Sequence, residues 1–501
     1  MDHERRRVRG RADLGVAAGA AVAARAGGGG HLQGRASTAV NREQDYSLEV
    51  PADSRRLLAL GWLWLCVLAL LGAGIFSLLL VASRTPWISD IIPWIDFFHS
   101  ALVVHVDLSV LVWSLAFGGF LWSLNQRPGR AWLAWLALAT ACAGALVIVC
   151  SPFVRDAQPL MSNYVPVLQH PLFFAGLFTF AIGFSLMVVN SMVFMAPVGP
   201  WMSARGALRF GLNAAAISAA VAMICFVWSY LQLPDYLMGR SFFELLFWGG
   251  GHVLQFTYTL LMLVCWLWLS REAGLQLPIT PRVVLVILFV GLACVFVSPL
   301  IYLAYPATTA EHVRLFTWLM RWGGSLGTLP LALAVLWALL RYGGDNPREW
   351  LARSALQCSL FLFGIGGLIG FLISGSNVTI PAHYHGSIVG VTLAMMGVCY
   401  VLLPQLGFPL RNLQHAIWQP VIYSVGQLMH VGGLVWSGGY GVQRKVAGAE
   451  QGLDSIERVL GMGLMGLGGL ISSIGGLLFL VIVLRALTGV KKAAQQAERG
   501  Q

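Results

Sequence analysis

The chain is 501 residues long, 57% of them apolar and only 11% charged, with a formal net charge of +11 and a mean hydropathy of +0.74. That composition excludes an ordinary soluble domain. The positive balance falls mostly in loops and tails, where it suits an anionic lipid leaflet and argues against a nucleic-acid partner.

In chain order, residues 1–50 are rich in Arg, Ala and Gly without a packable pattern and read as a disordered cytoplasmic tail. The stretch LGVAAGAAVAARAGGGG is too broken by Gly and Arg to serve as the apolar core of a secretory signal. Residues 51–490 then hold twelve apolar runs, at 56–83, 100–123, 131–153, 171–195, 208–233, 242–270, 283–304, 315–340, 355–375, 382–404, 413–438 and 460–486. Each is near the roughly 20 residues that a helix needs to cross a bilayer. They are long and continuous where a β-barrel would alternate, so the expected class is all-α, a polytopic membrane protein of twelve transmembrane helices. Residues 491–501 form a short charged C-terminal tail.

With both termini inside, the inner connections carry Arg127 and Arg130, Arg205 and Arg209, Arg271 and Arg282, Arg341, Arg348 and Arg353, then Arg411. The outer loops are poorer in cations, as the positive-inside rule requires. A bacterial inner membrane is the expected location. Every loop is short, so the chemistry has to lie in or near the bilayer. The eight cysteines include no C-x-x-C and no C-x-x-C-H, which leaves neither a disulfide framework nor a covalent c-type haem site.

His3 and His31 fall in the N-terminal tail. Among the other nine histidines, several share a depth. His105 lies near the start of the second run, His252 a third of the way down the sixth, His312 in the loop after the seventh, and His383 with His385 at the start of the tenth. All five belong to the outer half of the membrane. Intramembrane ionisable residues are costly unless they are partnered, and imidazole is a common ligand of haem and of transition metals. In AHYH the two histidines are two positions apart, hence about 200° apart around a helix. Such a helix can stand between two haems and give a ligand to each. His385 with His105 would hold a six-coordinate low-spin haem. His383 would hold a five-coordinate one, with His252 and His312 on a second metal facing its open side.

These segments resemble the catalytic subunit I of the haem-copper oxidase superfamily, over about residues 56–490. The residues that carry the likeness are VTIPAHYHGSIVGVTLAMMGVCYVLLP in the tenth run, VHVDLSVLVWSLAFGGFLW in the second and FFELLFWGGGHVLQF in the sixth. The resemblance implies that His383 is the proximal ligand of the active-site haem, that His105 and His385 hold the low-spin haem, and that His252 binds the non-haem metal. His99 is the weaker candidate beside His105. GGYGVQRK resembles the basic pair that binds haem propionates, which implies that role for Arg444 and Lys445.

Two departures bear on the substrate. Oxidases of the superfamily carry two consecutive histidines after the seventh span, where this chain reads AEH, with Glu311 and His312. A set of His252, His312 and Glu311 would favour iron over copper. Four residues after His252, where oxygen-reducing members keep a tyrosine, stands Phe256; Tyr258, Tyr302 and Tyr305 are near in sequence but at other spacings. Both departures lean to reduction of NO to nitrous oxide, with an oxygen-reducing cytochrome c or quinol oxidase as the alternative. Gln255 is placed to donate a hydrogen bond to metal-bound oxygen, while Asp107 and Glu244 read as proton relays or haem-edge partners. Electrons are expected from a donor subunit, cytochrome c or quinol. A twelve-helix transporter and a diheme cytochrome b are the rival architectures; the short connection REAGLQLPITPR argues against the first, and the second would stack its haems on helices with widely spaced histidine pairs, unlike the histidines clustered at one depth here.

Overall fold

In the computed structural model the described residues are 44–86, 95–129, 131–199, 203–373 and 377–499, without the side chains of 95–97, 448–449 and 490–499. The expected N-terminal tail therefore falls almost wholly outside them, as do Arg130 and the side chains of Lys491 and Lys492.

Among the described residues twelve long helices follow one another: α1 (Ser54–Arg84), α2 (Phe98–Leu124), α3 (Ala131–Cys150), α4 (Pro171–Phe194), α5 (Ala204–Gln232), α6 (Gly239–Glu272), α7 (Pro281–Ala304), α8 (Ala310–Arg341), α9 (Pro347–Leu372), α10 (Thr379–Gln405), α11 (Leu413–Gly439) and α12 (Ile456–Arg499). Among the described residues eleven are long and apolar enough to cross a membrane; the exception is α11. At 27 residues it is long enough, but its buried face carries Gln419, Ser424, Gln427, His430 and Ser437, which lower its hydropathy. The chain is an integral membrane protein. Where a separate C-terminal tail was expected, α12 continues as helix to Arg499.

Two helices form the centre of the bundle. In the most apolar stretch of α6, 94% of residues are buried inside the protein, and in that of α10, 83%; those of α1, α3 and α4 are each 39% buried. Association in a bilayer relies on close packing at small residues, and the neighbouring pairs use glycine: Gly144 with Gly176, and Gly183 with Ala141, between α3 and α4; Gly366 with Gly386 between α9 and α10; and Gly426 with Gly468, and Gly433 with Gly461, between α11 and α12.

The helices are not all regular, and one interruption has a plain local cause. In α7 the ring of Pro299 removes the donor that would bond Val295, and the helix breaks at Phe296. In α2 one turn, Asp107–Val112, is π-helical, a widening often found at functional positions. Between α3 and α4 a short antiparallel hairpin, β1 (Gln158–Leu160) with β2 (Val167–Gln169), caps the end of the bundle at which α4, α6, α8 and α10 begin.

Candidate functional site

Among the described residues five buried or half-buried histidines share one arrangement, in which ring atom Nδ1 bonds a backbone carbonyl. His105 reaches Ala73 of α1 (2.9 Å), His252 reaches Trp248 in its own helix (2.7 Å), and His312 reaches Tyr305 (3.1 Å). His383 reaches Gly366 of α9 (2.7 Å), and His430 reaches Met465 of α12 (2.9 Å). A carbonyl only accepts, so Nδ1 carries the proton and Nε2 presents a bare lone pair. Metal-ligating histidines are oriented in this way. The Nε2 of His312 is buried and has no hydrogen-bond partner among the described residues, a costly state in an apolar interior unless an electrophile takes it up.

These imidazoles fall into separate groups. Beside α10, the rings of His385 and His430 lie 4.5 Å apart between centroids, inclined at 57°, with His105 and Arg84 close enough to interact with both. His383 is held on the other side of α10, against Gly366 and Gly370 of α9. His430 went unread in the sequence, although the depth argument that singled out the others applies to it, since it stands in the second half of α11, beside the start of α10. Asp107, two residues after His105, is fully buried, and neither carboxylate oxygen has a partner among the described residues.

The second group gathers where α6 and α8 begin. His252 and His312 both pack on the ring of Phe316, at centroid distances of 5.9 and 4.8 Å. The Nε2 of His252 accepts a hydrogen bond of 2.9 Å from the hydroxyl of Tyr164, at the tip of the β1–β2 hairpin. Glu311 does not join them: successive residues of a helix are about 100° apart, so burying His312 turns Glu311 outward, where it is exposed and makes no hydrogen bond or ion pair among the described residues. Gln255 is half-buried, Phe256 is buried, and Glu244 pairs with Arg240 (3.7 Å).

Arg444 and Lys445, expected at a haem edge, here grip the hairpin. Lys445 Nζ donates to the Met161 carbonyl (2.6 Å) and Arg444 Nη1 to Asn163 Oδ1 (3.3 Å). Burial, and then the neighbouring Arg444, push the Lys445 ammonium down to about 8. His99 bonds the Lys445 carbonyl (3.1 Å) and is thereby committed to the loop.

No family model matches the chain. It is 28% identical over 491 residues to an uncharacterized protein of Rickettsia prowazekii (strain Madrid E), covering 85% of this chain and 95% of the relative. To an uncharacterized protein of Aquifex aeolicus (strain VF5) it is 30% identical over 348 residues, 69% of this chain and 85% of the relative, and with that protein it forms one family. A solved heme-copper terminal oxidase superposes on 87% of this chain and 85% of its own with a TM-score of 0.67, at 16% identity. The chain has the haem-copper oxidase subunit I fold. Within that fold α10 stands against α6, α9 and α11, so the helix carrying His383, Tyr384 and His385 is walled by helices on several sides. Sequence reading missed Tyr164 and His430 as members of these groups.

Proposed function

We propose that this chain is the catalytic subunit of a membrane-bound respiratory terminal reductase, with NO as the preferred substrate: two NO, two electrons and two protons give nitrous oxide and water. The observation that carries the reading is the division of α10, with His383 fixed on one side by Gly366 and His385 facing His430 and His105 on the other. The donor chemistry fits the groups this requires. His105 and His385 would hold the low-spin haem, His383 the active-site haem, and His252 with His312 a non-haem metal, iron in preference to copper. When bound, haem and metal supply the electrons and the coordination sites for the diatomic.

The protein's own residues do the rest. Backbone carbonyls fix the tautomer and direction of His105, His252, His312 and His383; Trp248 and Phe316 pack on the His252 ring and keep water from it. Arg444 and Lys445 place two positive charges at the loop after α11, suited to propionates. Phe256 offers no phenol at the spacing oxygen reduction would use, which supports NO. The oxygen-reducing reading is favoured by one observation, the Tyr164 hydroxyl beside His252. A donor subunit, cytochrome c or quinol would bring electrons.

Counting haem and metal in the purified protein while following NO and O2 consumption tests the proposal. Two haems and a non-haem iron with NO turnover are expected. Copper with rapid O2 uptake and no NO turnover would overturn the preference, and absence of haem the whole reading. Because Glu311 is exposed, Glu311→Gln is expected to leave metal content unchanged, measured on the same preparations.

Lys445 gives a pH dependence with two signs. Its charged form is disfavoured in the folded chain, so haem-free protein should gain stability as pH rises between about 8 and the ordinary 10.5. Propionate attraction needs the ammonium, so haem retention should fall over the same window, and Lys445→Met should flatten both profiles in thermal melts and haem-release assays.

A further inference from the structure

We infer that the phenol oxygen of Tyr164 is a ligand of the non-haem metal, alongside His252 and His312; this rests on the reading of that site as a metal centre. With Nδ1 of His252 committed to Trp248, only Nε2 remains to bind, and the Tyr164 oxygen lies 2.9 Å from it. Nitrogen and oxygen ligands sit about 2.0–2.2 Å from a first-row metal ion, so two of them at right angles around one ion are about 2.9 Å apart. The pair thus already has the spacing of adjacent ligands, and His312, whose buried Nε2 has no partner among the described residues, packs on the same Phe316 ring as His252.

Charge points the same way. Two neutral imidazoles would leave a metal cation uncompensated in an apolar interior, which is costly. Glu311, the acid adjacent in sequence, is turned outward. Tyr164 supplies the missing anion: on binding, the O–H bond breaks, the proton leaves to solvent and the oxygen pair forms the bond to the metal. A phenolate is a hard donor, and together with two imidazoles it favours iron.

The backbone is built around this contact. Tyr164 has φ +64°, a conformation non-glycine residues adopt at a cost. Its ring lies over Gly251, where a Cβ would come within 2.3 Å of Tyr164 Cγ, so the glycine before His252 is what admits the tyrosine. Lys445 and Arg444 hold the segment of the hairpin that leads into it, at Met161 and Asn163. Tyr302, beside His312, is not a rival: its hydroxyl is committed to Ser229 (2.7 Å) and to the Cys225 carbonyl (3.0 Å).

The test uses full-length protein, oxidised in detergent, with metals counted and resonance Raman spectra recorded with and without ring-deuterated tyrosine. Phenolate modes that shift on deuteration are expected in the wild type and in Tyr302→Phe and are expected to vanish in Tyr164→Phe, whose affinity for the second metal falls roughly tenfold or more. An unchanged low-spin haem spectrum and melting temperature certify that Tyr164→Phe is folded. A wild type that holds the second metal, loses it in His252→Ala and shows no phenolate modes overturns the ligand and leaves the reductase reading standing. A wild type with no second metal overturns both.

Discussion

His383→Ala is expected to abolish turnover while leaving the low-spin haem in place. The ring is fixed by the Gly366 carbonyl at 2.7 Å and by the bare face of Gly370, whose missing Cβ would lie 2.8 Å from the imidazole. Among the described residues no other imidazole is held against Gly366 and Gly370. The loss should be on the order of 10³-fold or more, the scale on which removal of an essential active-site group acts. Reduced-minus-oxidised spectra should retain the bis-imidazole band and lose the carbon monoxide-binding haem. His385→Ala should do the converse, with His430, 4.5 Å away, the only described imidazole in ring contact to offer partial replacement. Equal loss of both signals in both variants would mean that α10 does not stand between two haems.

How much of this was legible in the sequence follows from what each contact depends on. Helix number and position were readable because a bilayer dictates the length and apolarity of whatever crosses it. α11 is the weak case because its polar residues face inward, and hydropathy cannot tell an inward polar face from a loop. The histidines of α2, α6, α8 and α10 could be singled out from depth alone, as candidates. Tyr164 was not: it meets His252 across 88 positions of sequence, from the tip of a hairpin. Glu311 shows the opposite error. Its adjacency to His312 suggested a shared site, but adjacency along a helix separates two side chains by nearly a third of a turn. Arg444 and Lys445 were legible as a basic pair in the loop after α11, but not their grip on Met161 and Asn163, which lies more than 280 positions away.

The crossing of α9 and α10 should prove intolerant of a single methyl group. A Cβ on Gly386 would lie 2.5 Å from Gly366 Cα and 2.8 Å from its nitrogen, and a Cβ on Gly366 would lie 2.3 Å from Ser387 nitrogen. These are backbone atoms of packed helices and cannot swing aside as a side chain can. Intrinsic propensity alone would make Gly386→Ala stabilising by about 1 kcal/mol, whereas overpacking a tight contact costs about 1–3 kcal/mol, so the two effects oppose each other and the backbone contact should win. Gly367 supplies the internal control, since a Cβ there meets nothing within 4 Å. Gly367→Ala should therefore be neutral or slightly stabilising in thermal melts, while Gly386→Ala melts lower and Gly386→Leu loses both haem signals together. Because Gly366 also supplies the carbonyl that orients His383, separating the helices would turn that ring as well as loosen the bundle. A Gly386→Ala variant as stable as Gly367→Ala, with its haem spectrum intact, would show that the two helices do not meet backbone to backbone.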